Sequence, residues 1–173
     1  MNSTWRAVRK RNAQLRVSLT FTRETRSDDM ESILKPDIPL ASVTFLRYFT
    51  MTLQCLRLLV TNYTSVLESY EDLSETYDLD EELVLLSQKC TQLSRFIHRG
   101  HINAYTVLSV AKAMGRKCKR FEVDGKLISF ENLGEDTICP FREREAKEMV
   151  DVDVDIHSLK ERVADLIGTR LTI

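Results

Sequence analysis

The chain contains few of the residues that interrupt regular structure. Among its 173 residues there are five glycines and three prolines. A β-sandwich or barrel built from many short strands needs more turn residues than this, so the scarcity favours helices. The length suffices for one domain with a sizeable core.

Several signatures of catalysis and ligand binding are also missing. The sequence has no GxGxxG loop, no GxxxxGKS or GxxxxGKT loop, no GxSxG and no HExxH. These motifs are typical of dinucleotide and phosphate binding, serine hydrolases and zinc peptidases. We therefore predict a protein that is not an enzyme and that has no cofactor and no small-molecule substrate.

The four cysteines form no CxxC pair. We interpret them as reduced thiols of an intracellular protein, nuclear or cytoplasmic, and not as a disulfide framework. His98 and His101, with Cys118 and Cys139 downstream, match the spacing of no compact zinc module. We predict no metal site.

Net charge is close to zero, at −1, but charge is unevenly distributed along the chain. Residues 1–26 carry seven bases and one acid, whereas residues 71–82 carry seven acids and no base. The basic segment has three interpretations: an arm that contacts phosphates, a cleaved mitochondrial presequence, or a mobile tail. The acidic segment is either a solvated linker or a contact for a partner.

The dominant stretch of the sequence is 42–70, which is apolar apart from one narrow stripe. Its polar residues recur at a 3-4 spacing, as on one side of an α-helix; they include Arg47, Gln54, Arg57, Thr61 and Glu68. We predict one long central helix, wrapped by other elements. Arg57 in its middle disfavours insertion in a bilayer, so we predict no membrane contact.

Further apolar spacings predict helices at 81–98, 104–114 and 156–167, and a short helix near 142–149. Asp124-Gly125 between two apolar runs predicts a two-residue β-hairpin at 119–130. The predicted fold is mainly α, a helical bundle around 42–70 with a single hairpin. We divide it into a basic N-terminal arm at 1–35, a helical core with the hairpin at 36–134, and an acidic linker with a heptad helix at 135–173. No internal repeat is apparent.

The C-terminal helix shows a short heptad pattern. Its apolar positions are Ile156, Leu159, Val163 and Leu166. Two heptads are too few for an independent coiled coil, so this face packs on the chain's own core or on a partner. We predict a helical adaptor or assembly subunit of an intracellular multiprotein complex, docking through this face to other subunits or to itself, with 71–82 as a second contact.

The alternative function is nucleic-acid binding. The predicted order of helix, turn, helix and hairpin over 81–130 is that of a winged helix, which the basic N-terminal arm would assist. Basic residues cluster where the second helix would meet the wing and could contact phosphates; they are Lys112, Arg116, Lys117, Lys119 and Arg120.

Overall fold

The computed structural model describes residues 3–22, 25–26, 29–49, 51–130 and 155–168. Over these residues five strands form one parallel sheet, and two short strands form a second parallel pair. The fold is therefore α/β, and the predicted helical bundle around one long helix is wrong.

The elements alternate along the chain. The strands of the main sheet are β1 (Val17–Phe21), β2 (Leu40–Phe45), β3 (Ser69–Asp72), β4 (Arg95–His98) and β6 (Arg120–Val123), and the small pair is β5 (Ile102–Asn103) with β7 (Ile128–Ser129). The helices are α1 (Ser3–Arg11), α2 (Met30–Ile33), α3 (Leu53–Asn62), α4 (Asp80–Lys89), α5 (Ala104–Met114) and α6 (Ile156–Ile167).

The main sheet has the order β1-β2-β3-β4-β6, so neighbouring strands follow one another in the sequence. A helix lies in each connection, and α3, α4, α5 and α6 contact one another in that order. Crossovers between parallel strands share one hand, so crossovers that all step in the same direction place their helices on the same face. The chain thus forms a short solenoid of strand–helix units.

The register of the strands reveals the length of the repeat. The aligned inward positions are Leu19, Val43, Tyr70, Phe96 and Phe121, so successive units are offset by 24, 27, 26 and 25 residues. The structural unit therefore repeats about every 25 residues, although no internal repeat is apparent in the sequence. Residue identities differ so much among these aligned positions that the repeat is hidden in the sequence.

The core lies between the sheet and the helices. Rings from successive strands pack against one another through it, with centroids 6.2 Å apart for Phe45 and Tyr70, 5.5 Å for Tyr70 and Phe96, and 5.4 Å for Phe96 and Phe121. All four side chains are buried. Each aromatic ring removes a large apolar area from water, so this ladder joins neighbouring units into one core.

Residues 42–70 do not form one helix. They end strand β2, form helix α3 and begin strand β3. The side chain of Thr52 caps α3 by accepting from the backbone N–H of Cys55, and the helix ends at Asn62. Because all three elements bury apolar residues in the same core, their apolar positions merge into an apparent helical pattern.

The predicted helix 81–98 is likewise too long. Helix α4 ends at Lys89, and Arg95–His98 is strand β4. Leu83 and Leu86 belong to the helix, whereas Leu93 and Phe96 belong to the next unit, and all four are buried. The continuous 3-4 spacing across this boundary therefore combines two elements.

The predicted hairpin 119–130 is also wrong. Strand β6 pairs in parallel with β4, and β7 pairs in parallel with β5. A type I′ turn needs positive φ at both central residues, but the described residues with positive φ are Asp78, Gly115 and Gly168. The Asp124 side chain instead accepts from Lys126 N at 3.0 Å and begins a 3-10 turn, Gly125–Leu127.

Two predicted helices are confirmed. The Asn103 side chain caps α5 by accepting from Tyr105 N, and Asp155 forms a capping box with Ser158 at the start of α6. Gly168 ends α6 in the left-handed conformation that glycine adopts most readily. The predicted helix 142–149 lies outside the described residues. Among the described helices, none is long and apolar enough to cross a bilayer.

Candidate functional site

A cleft opens at the carboxyl ends of strands β2 and β3. Its volume is about 660 Å³, and its walls come from the loop after β2 and the loop after β3. The lining residues are Arg47, Tyr48, Phe49, Met51, Glu75, Thr76 and Tyr77. Two consecutive units of the solenoid therefore build one site.

Two tyrosines on opposite loops dominate the surface of this cleft. Tyr48 is 72% exposed and Tyr77 is 61% exposed, the two largest exposures among the large hydrophobic side chains of the described residues. Tyrosine offers a wide, rigid ring with a polar end, which is why it is enriched at protein interfaces. An open cleft walled by two such rings is suited to binding another molecule.

The first loop is anchored by the residue after Tyr48. Phe49 is buried, and its ring lies 5.1 Å from that of Phe45 and 5.7 Å from that of Phe21. The backbone N–H of Phe49 also donates to the carbonyl of Leu46 at 2.8 Å. Phe49 thereby holds the loop in the core, while the neighbouring Tyr48 remains in solvent.

The second loop is held by a buried carboxylate. Asp72, at the end of β3, accepts from Ser74 N at 2.9 Å, from the Ser74 hydroxyl, and from Thr76 Oγ1 at 3.1 Å. Asp72, Ser74 and Thr76 are all buried. Because buried hydrogen bonds to a charged group are strong, they fix the backbone that leads to Tyr77.

A histidine from the next strand completes this buried polar cluster. His98 Nδ1 lies 3.2 Å from Asp72 Oδ2, without the alignment of a hydrogen bond, and both side chains have no exposed area. Burial, followed by the nearby Asp72 carboxylate, raises the pKa of the Tyr70 phenol well above its usual range. The phenol is therefore neutral and faces Asp72 as a hydrogen-bond donor at 3.5 Å.

The third loop, after β4, supports Tyr77 from behind. His101 stacks on Tyr77 with ring centroids 4.2 Å apart, and His101 N donates to the carbonyl of Thr76 at 2.8 Å. The turn between His98 and His101 contains Gly100, where an added Cβ would lie 2.2 Å from Thr76 Oγ1. Two successive units therefore position the exposed ring of Tyr77.

The buried cluster contains Asp, His and Ser but lacks the geometry of a nucleophilic triad. In a triad the histidine lies between the serine and the carboxylate. Here Asp72 lies between Ser74 and His98, and among the described residues no hydrogen bond joins the hydroxyl to the imidazole. We assign the cluster a structural role, and the prediction that the chain is not an enzyme stays a prediction.

An exposed ion pair joins the first two loops across the cleft. Arg47 Nη2 lies 3.3 Å from Glu75 Oε1, with side-chain exposures of 69% and 65%. Ion pairs this exposed contribute little to folding stability. Both groups are consequently available to a binding partner.

The four predicted partner-binding residues lie on α6. Leu159 and Val163 are fully buried within the chain, Leu166 is half-buried, and Ile156 is 37% exposed. Helix α6 packs on α5, so this face completes the chain's own core. A docking role for these residues stays a prediction, and it would require α6 to leave its place on α5.

The five predicted nucleic-acid-binding residues, Lys112, Arg116, Lys117, Lys119 and Arg120, are exposed. Lys117 Nζ donates to the carbonyl of Thr91 at 3.1 Å, and Arg120 Nη2 donates to Glu122 at 2.7 Å. The winged-helix order that brought them together is wrong, because β6 and β7 do not pair with each other. Within the described residues no winged helix supports nucleic-acid binding, and contact of these five residues with phosphates stays a prediction.

The thiols and imidazoles form no metal centre among the residues that the structure describes. Cys55, Cys90 and Cys118 are buried and free. Burial raises the pKa of Cys90 to about 12 and raises that of Cys118 as well, so these thiols are protonated. Cys139 lies outside the described residues.

Neither Tyr48 nor Tyr77 stands out in the sequence. Tyr48 falls within the predicted central helix, and a single exposed ring in an apolar run gives no signal of its own. The acidic segment 71–82, predicted as a second contact, does contain Glu75, Thr76 and Tyr77 of the cleft. A tyrosine within a charged segment is the sequence feature that could have indicated this site.

Comparison with known proteins gives a partial likeness. No protein-family model matches the chain. F-box only protein 33 of Homo sapiens is 29% identical over 179 aligned residues, which cover 95% of this chain. The Mus musculus protein of the same name has the same identity and coverage. The chain spans 29% of the length of these relatives, so it is similar to one part of F-box only protein 33.

Proposed function

We propose that this chain is a protein-interaction module of an adaptor and that it binds a partner protein through the Tyr48–Tyr77 cleft. The exposure of these two tyrosines on loops that the core holds in place is the observation that carries the proposal. The adaptor role predicted from the sequence is kept, while the proposed docking surface moves from α6 to the cleft.

The repeat architecture supports this role. Leucine-rich repeats are solenoids with one strand and one helix in every unit of about 20 to 29 residues. Solenoids present extended surfaces on which loops from successive units act together. Here the two walls of the cleft come from consecutive units, and a third unit supports one wall. The likeness to F-box only protein 33 further supports a role in protein–protein interaction.

The preorganised loops also favour binding. Ordering a mobile side chain or loop on association costs free energy, and a surface that is already ordered avoids that cost. Phe49 holds the first loop and Asp72 holds the second. Both loops of the cleft are therefore anchored before a partner binds.

Site-specific photo-crosslinking in cells tests the proposal. A photoreactive amino acid is placed at Tyr48, at Tyr77, or at Trp5 as an exposed aromatic control. Trp5 adjoins Arg6, whose Nε contacts Asp37 before strand β2, so the control lies at the opposite end of that strand. We expect the two cleft positions to crosslink the same partner protein and the Trp5 position not to do so.

Substitution provides the second arm of the test. The double variant Tyr48→Ser, Tyr77→Ser should recover that partner about tenfold less well, since exposed tyrosines at interfaces are frequent hot spots. Trp5→Ser should recover it unchanged. Equal recovery by the double variant, or identical crosslinks from all three positions, would contradict the proposed function.

A further inference from the structure

The loop that carries Tyr77 has more negative charge than the chain itself neutralises. Five of the seven acids of 71–82 have a partner within the chain: Glu71 with Arg95, Asp72 with His98, Glu75 with Arg47, Asp80 with the backbone N–H of Asn103, and Glu82 with Arg57. The other two, Asp78 and Glu81, are exposed and form no ion pair within the described part of the chain.

Asp78 directly follows the exposed ring of Tyr77. Its φ of 56° lies in the left-handed region, which an aspartate tolerates better than most residues. Glu81 lies in the first turn of α4. Asp78 and Glu81 therefore follow Tyr77 closely in the chain, whereas the carboxylate that lines the cleft itself is Glu75.

The ring of Tyr48, the face of Tyr77 that is turned away from His101, and the Glu75 carboxylate of the same cleft together suit a cation. A guanidinium or ammonium group is attracted to the face of an aromatic ring, and a nearby carboxylate adds a charge-assisted hydrogen bond. The buried side chains of Phe49 and Met51 form the apolar floor between the two tyrosine walls. A flanking apolar side chain would cover this floor.

From this arrangement we propose that the cleft binds an extended protein segment that inserts an arginine or lysine side chain, with an apolar neighbour, against Tyr48 and Tyr77. The inference rests on the proposed function and specifies its ligand. The cation of the partner then competes with Arg47 for the Glu75 carboxylate, and the unpaired charges of Asp78 and Glu81 attract it at longer range.

Because the partner's cation competes with Arg47, the direction in which the affinity changes when Arg47 is removed tests the inference. Random short peptides displayed on phage are selected on the purified chain, and the enriched sequences are synthesised with a fluorescent label. Binding is then measured by fluorescence anisotropy. We expect every enriched peptide to contain arginine or lysine next to an apolar residue.

Variants of the cleft should then change the affinity in opposite directions. Arg47→Ala frees Glu75 and removes a like charge, so it should tighten binding about threefold. Asp78→Asn with Glu81→Gln should weaken it about threefold, and Tyr48→Ser with Tyr77→Ser about tenfold. Asparagine also tolerates the positive φ of position 78. Trp5→Ser is the control and should leave the affinity unchanged.

The inference is overturned if the selection enriches no peptide, or if it enriches peptides without a base. It is also overturned if Arg47→Ala weakens binding. Dimers of the chain in sedimentation that the double tyrosine variant converts to monomers would overturn it as well. If the photo-crosslinks from Tyr48 and Tyr77 persist in such a case, the proposed function stands and the cationic ligand is refuted. If those crosslinks are absent, the proposed function fails as well.

Discussion

Gly100 lies where the loop after β4 meets the loop after β3, and there is no room for a side chain there. An added Cβ would lie 2.2 Å from Thr76 Oγ1 and 2.9 Å from Cε1 and Nε2 of His98. Both neighbours belong to the buried polar cluster around Asp72, so neither can move without breaking a contact of that carboxylate.

Gly100→Ala should therefore destabilise the fold by about 2 kcal/mol, as overpacking of a tight interior does. Urea unfolding followed by circular dichroism measures the change. Gly168→Asn is the control, because its space is open and asparagine accepts the left-handed conformation of that position. An unchanged midpoint for Gly100→Ala would show that the two loops are not in contact as described.

Glu122 lies on the solvent-facing side of the sheet and pairs with two arginines. Its side chain is 14% exposed and accepts from Arg120 at 2.7 Å and from Arg99 at 2.9 Å. The hydrogen bond from Arg120, then that from Arg99, lowers the pKa of Glu122 below its usual value. A carboxylate with a lowered folded pKa stabilises the fold above its unfolded pKa and loses that contribution as pH falls through the folded value.

We expect Glu122→Gln to be less stable than the natural chain at neutral pH. The difference between the two should shrink as the pH is lowered below the range in which an unfolded glutamate titrates. Thermal unfolding over a pH series measures this. Glu75→Gln is the control, since the pair of Glu75 with Arg47 is largely exposed and should contribute little at any pH. A constant difference across the series would contradict the assignment.

At the scale of single elements, the question for helix α6 is whether its heptad face belongs to the core or forms a docking surface. Leu159, Val163 and Ile167 are buried, and α6 contacts α5 and the 3-10 turn Gly115–Lys117. The capping box at Asp155 and the glycine at 168 specify both ends of the helix. Packing against α5 then specifies which face is buried.

Leu159→Ala should lower the free energy of unfolding by about 3 kcal/mol, because it leaves a cavity at a fully buried position. Ile156→Ala, at an exposed position of the same helix, should change it by less than about 0.5 kcal/mol. Chemical denaturation measures both. If Leu159→Ala proved neutral, the predicted role of this face as a partner-docking surface would regain support.

At the scale of the whole molecule, stability depends on contacts between neighbouring units. Aromatic rings of successive units pack against one another; they are Phe45, Tyr70, Phe96 and Phe121. In a solenoid each unit contacts mainly its neighbours, so a defect in a central unit weakens the connection between the two ends.

Phe96→Ala should destabilise the chain by about 4 kcal/mol, the usual cost of removing a buried ring. Hydrogen exchange should also show amide protection falling in β3 and β6, the strands on either side of β4. Val17→Ala, at the half-buried start of the edge strand, should reduce protection only locally. Protection that stays high in β3 and β6 of Phe96→Ala would contradict a nearest-neighbour architecture.

The sequence by itself determined the helices whose signals lie within one segment. In α5 the cap at Asn103 and the closing glycine at 115 stand at the ends of an apolar face, and α6 has the same features at Asp155 and Gly168. Caps and closing glycines act over a few residues, so no distant partner is needed to interpret them.

Only the tertiary structure decided that the apolar runs around Val43, Tyr70 and Phe96 are strands. Each pairs with a strand about 25 residues away, and the spacing of apolar residues within a short run is compatible with either a helix or a strand. The cleft has the same origin. Tyr48 and Tyr77 are 29 residues apart in the chain, and parallel pairing of β2 with β3 brings the loops that carry them side by side.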